Sequence, residues 1–73
     1  MIKEILEMLN EMRPEFDFTD SDNFIEDGLL DSFDIISLCS MLEEKYGIEI
    51  DGLDVVPENF LSLSAIESMV KKY

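Results

Sequence analysis

The side chains that this chain could use for chemistry are few, and their types exclude most kinds of active site. The 73 residues contain no histidine and a single cysteine. A Ser-His-Asp or Cys-His arrangement therefore cannot form within the chain, and a Cys/His zinc site lacks ligands. No glycine-rich phosphate loop occurs. Cys39 lies within a helical pattern without an activating base, so we interpret it as a small packed residue.

Ser32 is better placed to be modified by an enzyme than to act as the nucleophile of an active site within its own chain. It follows Asp31 at the predicted start of a helix, where free backbone N–H groups and the helix dipole favour an attached phosphate. The carboxylates of Asp31 and Asp34 would oppose that phosphate, so an enzyme must install it. A second explanation stays open at this point, because Asp31 or Ser32 could serve only as the N-cap of the helix.

The acidic loop before Ser32 also suggests calcium, but its spacing does not match. In an EF-hand loop that started at Asp20, the fifth and sixth positions would need a ligand and a glycine. Those positions hold Phe24 and Ile25. We therefore expect no dedicated metal site, although loose cation binding to the acidic surface remains open.

The charge of the chain is strongly negative and unevenly placed. The net charge is −13, and residues 15–58 hold 14 of the 18 acidic residues and one basic residue, Lys45. Such a field repels nucleic acid and anionic membrane surfaces and favours partners with basic docking patches. The alternative is that the acidity only keeps a small protein in solution.

Helical spacing of apolar residues predicts the secondary structure of most of the chain. The first helix has an apolar stripe from Ile2 to Met12 and should stop near Arg13, because Pro14 disfavours a helical conformation in the residue before it. The second helix should run from Asp31 or Ser32 to Tyr46 and end at Gly47. Its main apolar stripe comprises Ile35, Leu38, Met41, Leu42 and Tyr46.

The last third of the chain predicts two shorter helices. Residues 48–51 alternate like a strand but have no partner strand, so we expect an extended linker with buried isoleucines. Residues 57–60 look like one helical turn with Pro57 first. Ser62 or Ser64 should cap the last helix, and Ser64 has capping-box spacing to Glu67. The order indicates one all-α domain over residues 1–73, a small antiparallel four-helix bundle with a short third helix.

An apolar strip beside the main stripe of the second helix supports another function. Phe33, Ile36 and Cys39 could widen the core or form an exposed strip for a partner helix, as in a non-covalent acidic adaptor. No segment has transmembrane length, and the first residues lack the apolar run of a signal peptide, so we expect a cytoplasmic protein.

The segment Asn23–Ser32, NFIEDGLLDS, resembles the modification region of acyl carrier proteins. Length, helix order, acidity and the segments at residues 47–50 and 57–60 extend the resemblance over nearly the whole chain. In that family the Asp-Ser pair precedes the second helix of a four-helix bundle. The serine carries 4′-phosphopantetheine, which a dedicated transferase takes from coenzyme A, and the thiol of this arm holds the cargo as a thioester.

The resemblance implies roles for individual residues. Ser32 would be the attachment site and Asp31 the flanking recognition residue. The positions that match partner-docking residues of the family are Phe33, Ile36, Glu43 and Glu44.

The resemblance also implies a freestanding, monomeric carrier without catalysis of its own. Its partners would be a phosphopantetheinyl transferase, a loading ligase or acyltransferase, and acceptor or synthase enzymes. Ser37 and Ser40 stand where fatty-acid carriers more often have Glu and an apolar residue. The GLLDS run and the PENF segment are closer to D-alanyl or aminoacyl carriers and to carriers of specialised pathways.

Overall fold

Three α-helices and three single 3₁₀ turns make up the fold. The computed structural model describes residues 1–73 and contains no strand. Helix α1 spans Ile2–Met12, α2 spans Ser32–Tyr46 and α3 spans Leu63–Val70. The 3₁₀ turns are Phe18–Asp20, Gly52–Asp54 and Pro57–Phe60. The predicted all-α bundle is confirmed, with its third member reduced to the four-residue turn Pro57–Phe60.

The helix ends follow the local chemistry of the sequence. Arg13 is the C-cap of α1, as the following proline predicts. Gly47 ends α2 in the left-handed region at φ 63°, where a residue without a Cβ has no steric penalty. Ser62 caps α3 by accepting a hydrogen bond from the Ala65 backbone N at 3.1 Å. Ser64 lies inside α3, so the alternative cap at Ser64 is wrong.

The core combines residues of all three helices with residues of the connections between them. Helix α1 packs against both α2 and α3. Phe18 and Phe24 bring the long connection before α2 into the core, where their rings meet edge to face with centroids 5.2 Å apart. The buried apolar residues are Ile5, Met8, Leu9, Phe18, Phe24, Leu30, Ile35, Leu38, Cys39, Leu42, Phe60, Ile66, Met69 and Val70.

The long connection is also held by its backbone. The Phe24 backbone N donates to the Leu61 carbonyl at 2.7 Å, and the Phe24 carbonyl accepts from Leu29 N at 2.8 Å and Leu30 N at 3.2 Å. Gly28 turns the chain with φ 75°. The segment that leads into α2 is therefore attached to the segment that leads into α3.

The connection after α2 differs from the prediction in two ways. Ile48 and Ile50 are half-buried against the core and not fully buried. Gly52–Asp54 forms a 3₁₀ turn that the sequence pattern did not indicate. The Tyr73 hydroxyl accepts a hydrogen bond from the Asp51 backbone N at 2.9 Å and donates one to the Asp54 carboxylate. Tyr73 thus holds this turn against the residues that follow α3.

The structure contains neither a membrane-spanning helix nor a cluster of metal-binding side chains. None of the helices has the length and apolar character that crossing a membrane requires. No group of three or more Asp, Glu or Cys side chains is arranged to hold a metal ion.

Candidate functional site

The start of α2 is fixed by a reciprocal capping box. Asp31 is the N-cap, and its Oδ1 accepts a hydrogen bond from the Asp34 backbone N at 2.9 Å. In return, Asp34 Oδ2 accepts from the Asp31 backbone N at 3.1 Å. Two of the backbone N–H groups that a helix start leaves without partners are thereby satisfied. Of the two residues that the sequence left open as the cap, Asp31 is the one that caps.

Ser32 is the first residue of α2 and has no structural contact to make with its hydroxyl. Its side chain is exposed, and no hydrogen bond of the structure involves its Oγ. The cap is supplied by its neighbour, so the explanation that Ser32 serves only as a cap does not hold. The hydroxyl is thus exposed and unpaired.

Asp34 is the buried charged residue of the fold, and Arg13 is its partner. Its relative exposure is 8%. Arg13 Nε donates to the two carboxylate oxygens of Asp34 at 3.1 and 3.2 Å, and Arg13 Nη2 lies 3.1 Å from Oδ2. These hydrogen bonds raise the pKa of the Arg13 guanidinium. The sequence treats Asp34 as a charge that opposes a phosphate on Ser32, but the structure pairs that charge with a cation.

Asp31 keeps an ionised, exposed carboxylate beside Ser32. The hydrogen bond from the Asp34 backbone N lowers the pKa of Asp31, and the positive charge of Arg13 lowers it further. Arg13 Nη2 lies 3.6 Å from Asp31 Oδ2. The residue before Ser32 therefore presents an exposed carboxylate, and its role in recognition stays a prediction.

An apolar groove lies directly beside Ser32. Its volume is about 190 Å³, and apart from Ser32 it is lined by Ile35, Ile36, Val55 and Pro57. No carboxylate lines it. The surface next to the Ser32 hydroxyl is thus uncharged, although the chain as a whole is acidic.

The residues predicted to dock partners differ in their surroundings. Phe33 and Ile36 are 81% and 60% exposed. Glu44 is exposed, whereas Glu43 is half-buried and its Oε2 accepts a hydrogen bond from the Ile50 backbone N at 2.9 Å. Glu43 therefore has a structural contact whether or not it also faces partners.

Cys39 does not belong to the exposed strip that the sequence suggested. It is buried, and burial together with the charge of Glu43 raises the pKa of its thiol to about 11. The thiol is protonated at neutral pH, in agreement with its interpretation as a packed residue. The strip that an adaptor would use is reduced to Phe33 and Ile36.

Sequence reasoning missed the capping role of Asp34, the contact made by Arg13 and the exposure of Leu53. Asp31 and Asp34 have the spacing of a capping box, with Asp in the place of the usual Glu or Gln, and that signal could have identified the cap. Arg13 lies 21 positions before Asp34, so no local pattern indicates their contact. Leu53 is 85% exposed in its 3₁₀ turn, and its apolar character alone predicts the opposite.

Comparison with known proteins gives a family. Residues 1–70 match the family model described as PP-binding, phosphopantetheine attachment site. No curated protein and no solved structure matches the chain. The matched range includes all three helices and the start of α2.

Proposed function

We propose, because this chain belongs to the phosphopantetheine attachment-site family of carrier proteins, that Ser32 is its attachment serine. The family attaches 4′-phosphopantetheine, and its domains generally act as carriers without catalysis of their own. The observation that carries the proposal is the exposed Ser32 hydroxyl, which has no hydrogen-bond partner at the first position of α2. We infer a carrier of acyl or aminoacyl groups.

The residues around Ser32 fit the phosphopantetheine group. Free N–H groups of the first helical turn and the positive end of the helix dipole favour its phosphodiester. The buried carboxylate of Asp34 is paired with Arg13, which reduces the repulsion that the sequence suggests. The groove beside Ser32, lined by Ile35 and Val55 among others, offers uncharged surface to an arm or a short cargo.

The attachment reaction needs only one reacting group of this chain, the Ser32 hydroxyl. Ser32 Oγ forms a bond to the phosphorus of the phosphopantetheine moiety of coenzyme A, the bond from that phosphorus to the nucleotide part breaks, and the hydroxyl proton leaves with a base of the transferase. Once attached, the arm supplies a thiol that holds cargo as a thioester. This chain contributes an accessible oxygen, a fixed backbone and a recognition surface.

The proposed partners are enzymes with basic docking patches. They comprise a phosphopantetheinyl transferase, a ligase or acyltransferase that loads the thiol, and an acceptor or synthase enzyme. The exposed side chains of Phe33 and Ile36 would supply apolar contact. The acidic residues, Glu44 among them, would steer association electrostatically and raise its rate at low salt.

Mass spectrometry tests the attachment site directly. The purified protein, incubated with coenzyme A and a broad-specificity phosphopantetheinyl transferase, should gain the mass of one phosphopantetheine group. The gain should vanish in Ser32→Ala and persist in Ser37→Ala, which removes an exposed hydroxyl from the same helix. Absence of any gain with several competent transferases would sink the carrier proposal and leave the non-covalent adaptor as the better explanation.

A further inference from the structure

The reciprocal contacts of Asp31 and Asp34 hold the backbone on both sides of Ser32, and the buried carboxylate of Asp34 supplies one of them. Its Oδ2 accepts from the Asp31 backbone N, and its own backbone N donates to Asp31 Oδ1. Ser32 and Phe33 lie between these two contacts. The position of Ser32 Oγ relative to the bundle therefore depends on where the Asp34 carboxylate is held.

Arg13 determines where that carboxylate is held. The residue belongs to the end of α1, and its guanidinium contacts both Asp34 oxygens within 3.2 Å. The same guanidinium lies 3.6 Å from carboxylate oxygens of Asp31 and Glu15. Planar guanidinium groups that meet a carboxylate at two points fix its orientation as well as its position. The contact of Arg13 with Asp34 is thereby linked, through the Asp34 carboxylate, to the backbone N of Asp31, the residue before Ser32.

Removing Arg13 would leave Asp34 as a buried carboxylate without its cation. An unpaired buried carboxylate is strongly unfavourable, so the side chain is expected to turn toward water. That movement weakens its hydrogen bond to the Asp31 backbone N. The carboxylates of Asp31 and Asp34 would also lose the cation that pairs with them.

We propose that Arg13 and Asp34 form a positioning pair that sets the Ser32 hydroxyl for phosphopantetheine transfer. The inference rests on the proposed function of Ser32. Neither residue touches the reacting atoms; both act through the backbone of residues 31–34. The pair differs from an ordinary stabilising ion pair in one respect, since its loss should slow transfer in a protein that remains folded.

Steady-state kinetics of transfer provide the test. The variants are Arg13→Gln, Arg13→Lys and Asp34→Asn, with the apo protein as the varied substrate. We expect Arg13→Gln to lower kcat by roughly tenfold to a hundredfold, the range that corresponds to loss of a hydrogen bond between charged groups. The KM should change less than kcat, because the exposed docking side chains stay in place. Arg13→Lys should recover part of kcat, since it retains the charge but not the two-point contact.

Lys45→Gln is the control for the charge change. Lys45 pairs with Glu4 at 3.6 Å and so also joins α1 to α2, but in the last turn of α2. This variant should transfer at the rate of the unchanged protein. Amide hydrogen exchange at Asp31 and Asp34 should accelerate in Arg13→Gln and not in Lys45→Gln.

The outcomes separate the inference from the proposed function. If the unchanged protein gains no phosphopantetheine, the proposed function fails. If it is modified and a folded Arg13→Gln protein has the same kcat, or a loss expressed in KM as much as in kcat, the positioning pair is wrong. Should Arg13→Gln unfold, Arg13→Lys and Asp34→Asn decide, and unchanged kcat in both overturns the inference.

Discussion

The starts of α2 and α3 each carry a serine, and the two serines do different things. Ser62 precedes α3, is half-buried and caps the helix through its hydroxyl. Ser32 is the first residue within α2, is exposed and leaves the capping to Asp31. The apolar residues that follow differ in the same sense: Ile66 of α3 is fully buried, whereas Ile36 of α2 is 60% exposed.

The side chains at the start of α3 stabilise the fold, whereas several at the start of α2 are left exposed. At the start of α3, hydroxyl and apolar side chain both serve the fold. At the start of α2 the side chains of Asp31, Asp34 and Ile35 serve the fold, whereas those of Ser32, Phe33 and Ile36 face outward. Exposed apolar residues next to an unpaired hydroxyl are expected where other proteins bind.

The largest loss of stability is expected from a change at Phe24, which joins the segments that lead into the two helices. Its ring is buried against Phe18 and its backbone N donates to the Leu61 carbonyl. We expect Phe24→Ala to cost about 3 to 5 kcal/mol, as for other buried phenylalanines, which would largely unfold so small a domain. Urea denaturation followed by circular dichroism measures this loss. A loss below about 1 kcal/mol would show that the ring is not a core element.

The two isoleucines give the next largest contrast. Ile66→Ala should lower the free energy of unfolding by about 2 to 5 kcal/mol, whereas Ile36→Ala should stay within about 0.5 kcal/mol because the site is exposed. Ile36→Asp should slow phosphopantetheine transfer without melting the bundle, and Ser40→Asp separates the added charge from the lost apolar contact. If Ile36→Asp unfolds the protein, Ile36 belongs to the core and the docking role is refuted.

Exchanging each serine for alanine tests the serines themselves. Ser62→Ala should cost about 1 kcal/mol, the usual effect of losing a serine N-cap, and should leave phosphopantetheine attachment intact. Ser32→Ala should change stability by less than about 0.5 kcal/mol while it abolishes attachment. Chemical denaturation and mass spectrometry on the same two variants give both readouts. Equal destabilisation by the two changes would contradict the assignment of the caps.

Acid should weaken the N-cap of α2 but not that of α3, because the Asp31 carboxylate titrates and the Ser62 hydroxyl does not. We expect this effect to be the smallest of the four. The hydrogen bond from the Asp34 backbone N lowers the pKa of Asp31 below its ordinary value of 3.8. A lowered pKa in the folded state means that this cap stabilises fully above 3.8 and is lost as the pH falls through the lower, folded value. Amide exchange at Asp34 should therefore accelerate in this range before exchange at Ala65 does. Asp31→Asn, which caps without titrating, should remove the difference.

Local chemistry predicted the fold well because most of its signals are local. The stop at Arg13, the C-cap at Gly47 and the turn at residues 57–60 each follow from a proline or glycine in the sequence. Where two residues offered the same capping chemistry, the capping-box rule is an uneven guide: it favours Asp31 over Ser32, correctly, but Ser64 over Ser62, wrongly. That choice depends on backbone geometry, which tertiary contacts set.

The parts of the site that escaped prediction depend on contacts between distant residues. The pairing of Arg13 with Asp34 joins the end of α1 to the start of α2 across the long connection. Helical spacing grouped Cys39 with Phe33 and Ile36 and left open whether the three widen the core or form an exposed strip, and packing in the bundle buries Cys39 alone. Periodicity gives the direction of a side chain around its own helix, and only the neighbouring helices decide which directions are covered.

The Ser32 hydroxyl has no partner, but the backbone that carries it is fixed by the two hydrogen bonds between Asp31 and Asp34. This combination has a consequence for how cargo would be delivered. With residues 31 and 34 held to each other, the arm would move relative to the domain mainly by rotation about the bonds of the Ser32 side chain and of the arm itself. Its thiol would then sample a volume centred on one constant origin. The effective concentration of cargo at a docked enzyme would depend on the length of the arm and on where the enzyme sits, and little on motion within the carrier.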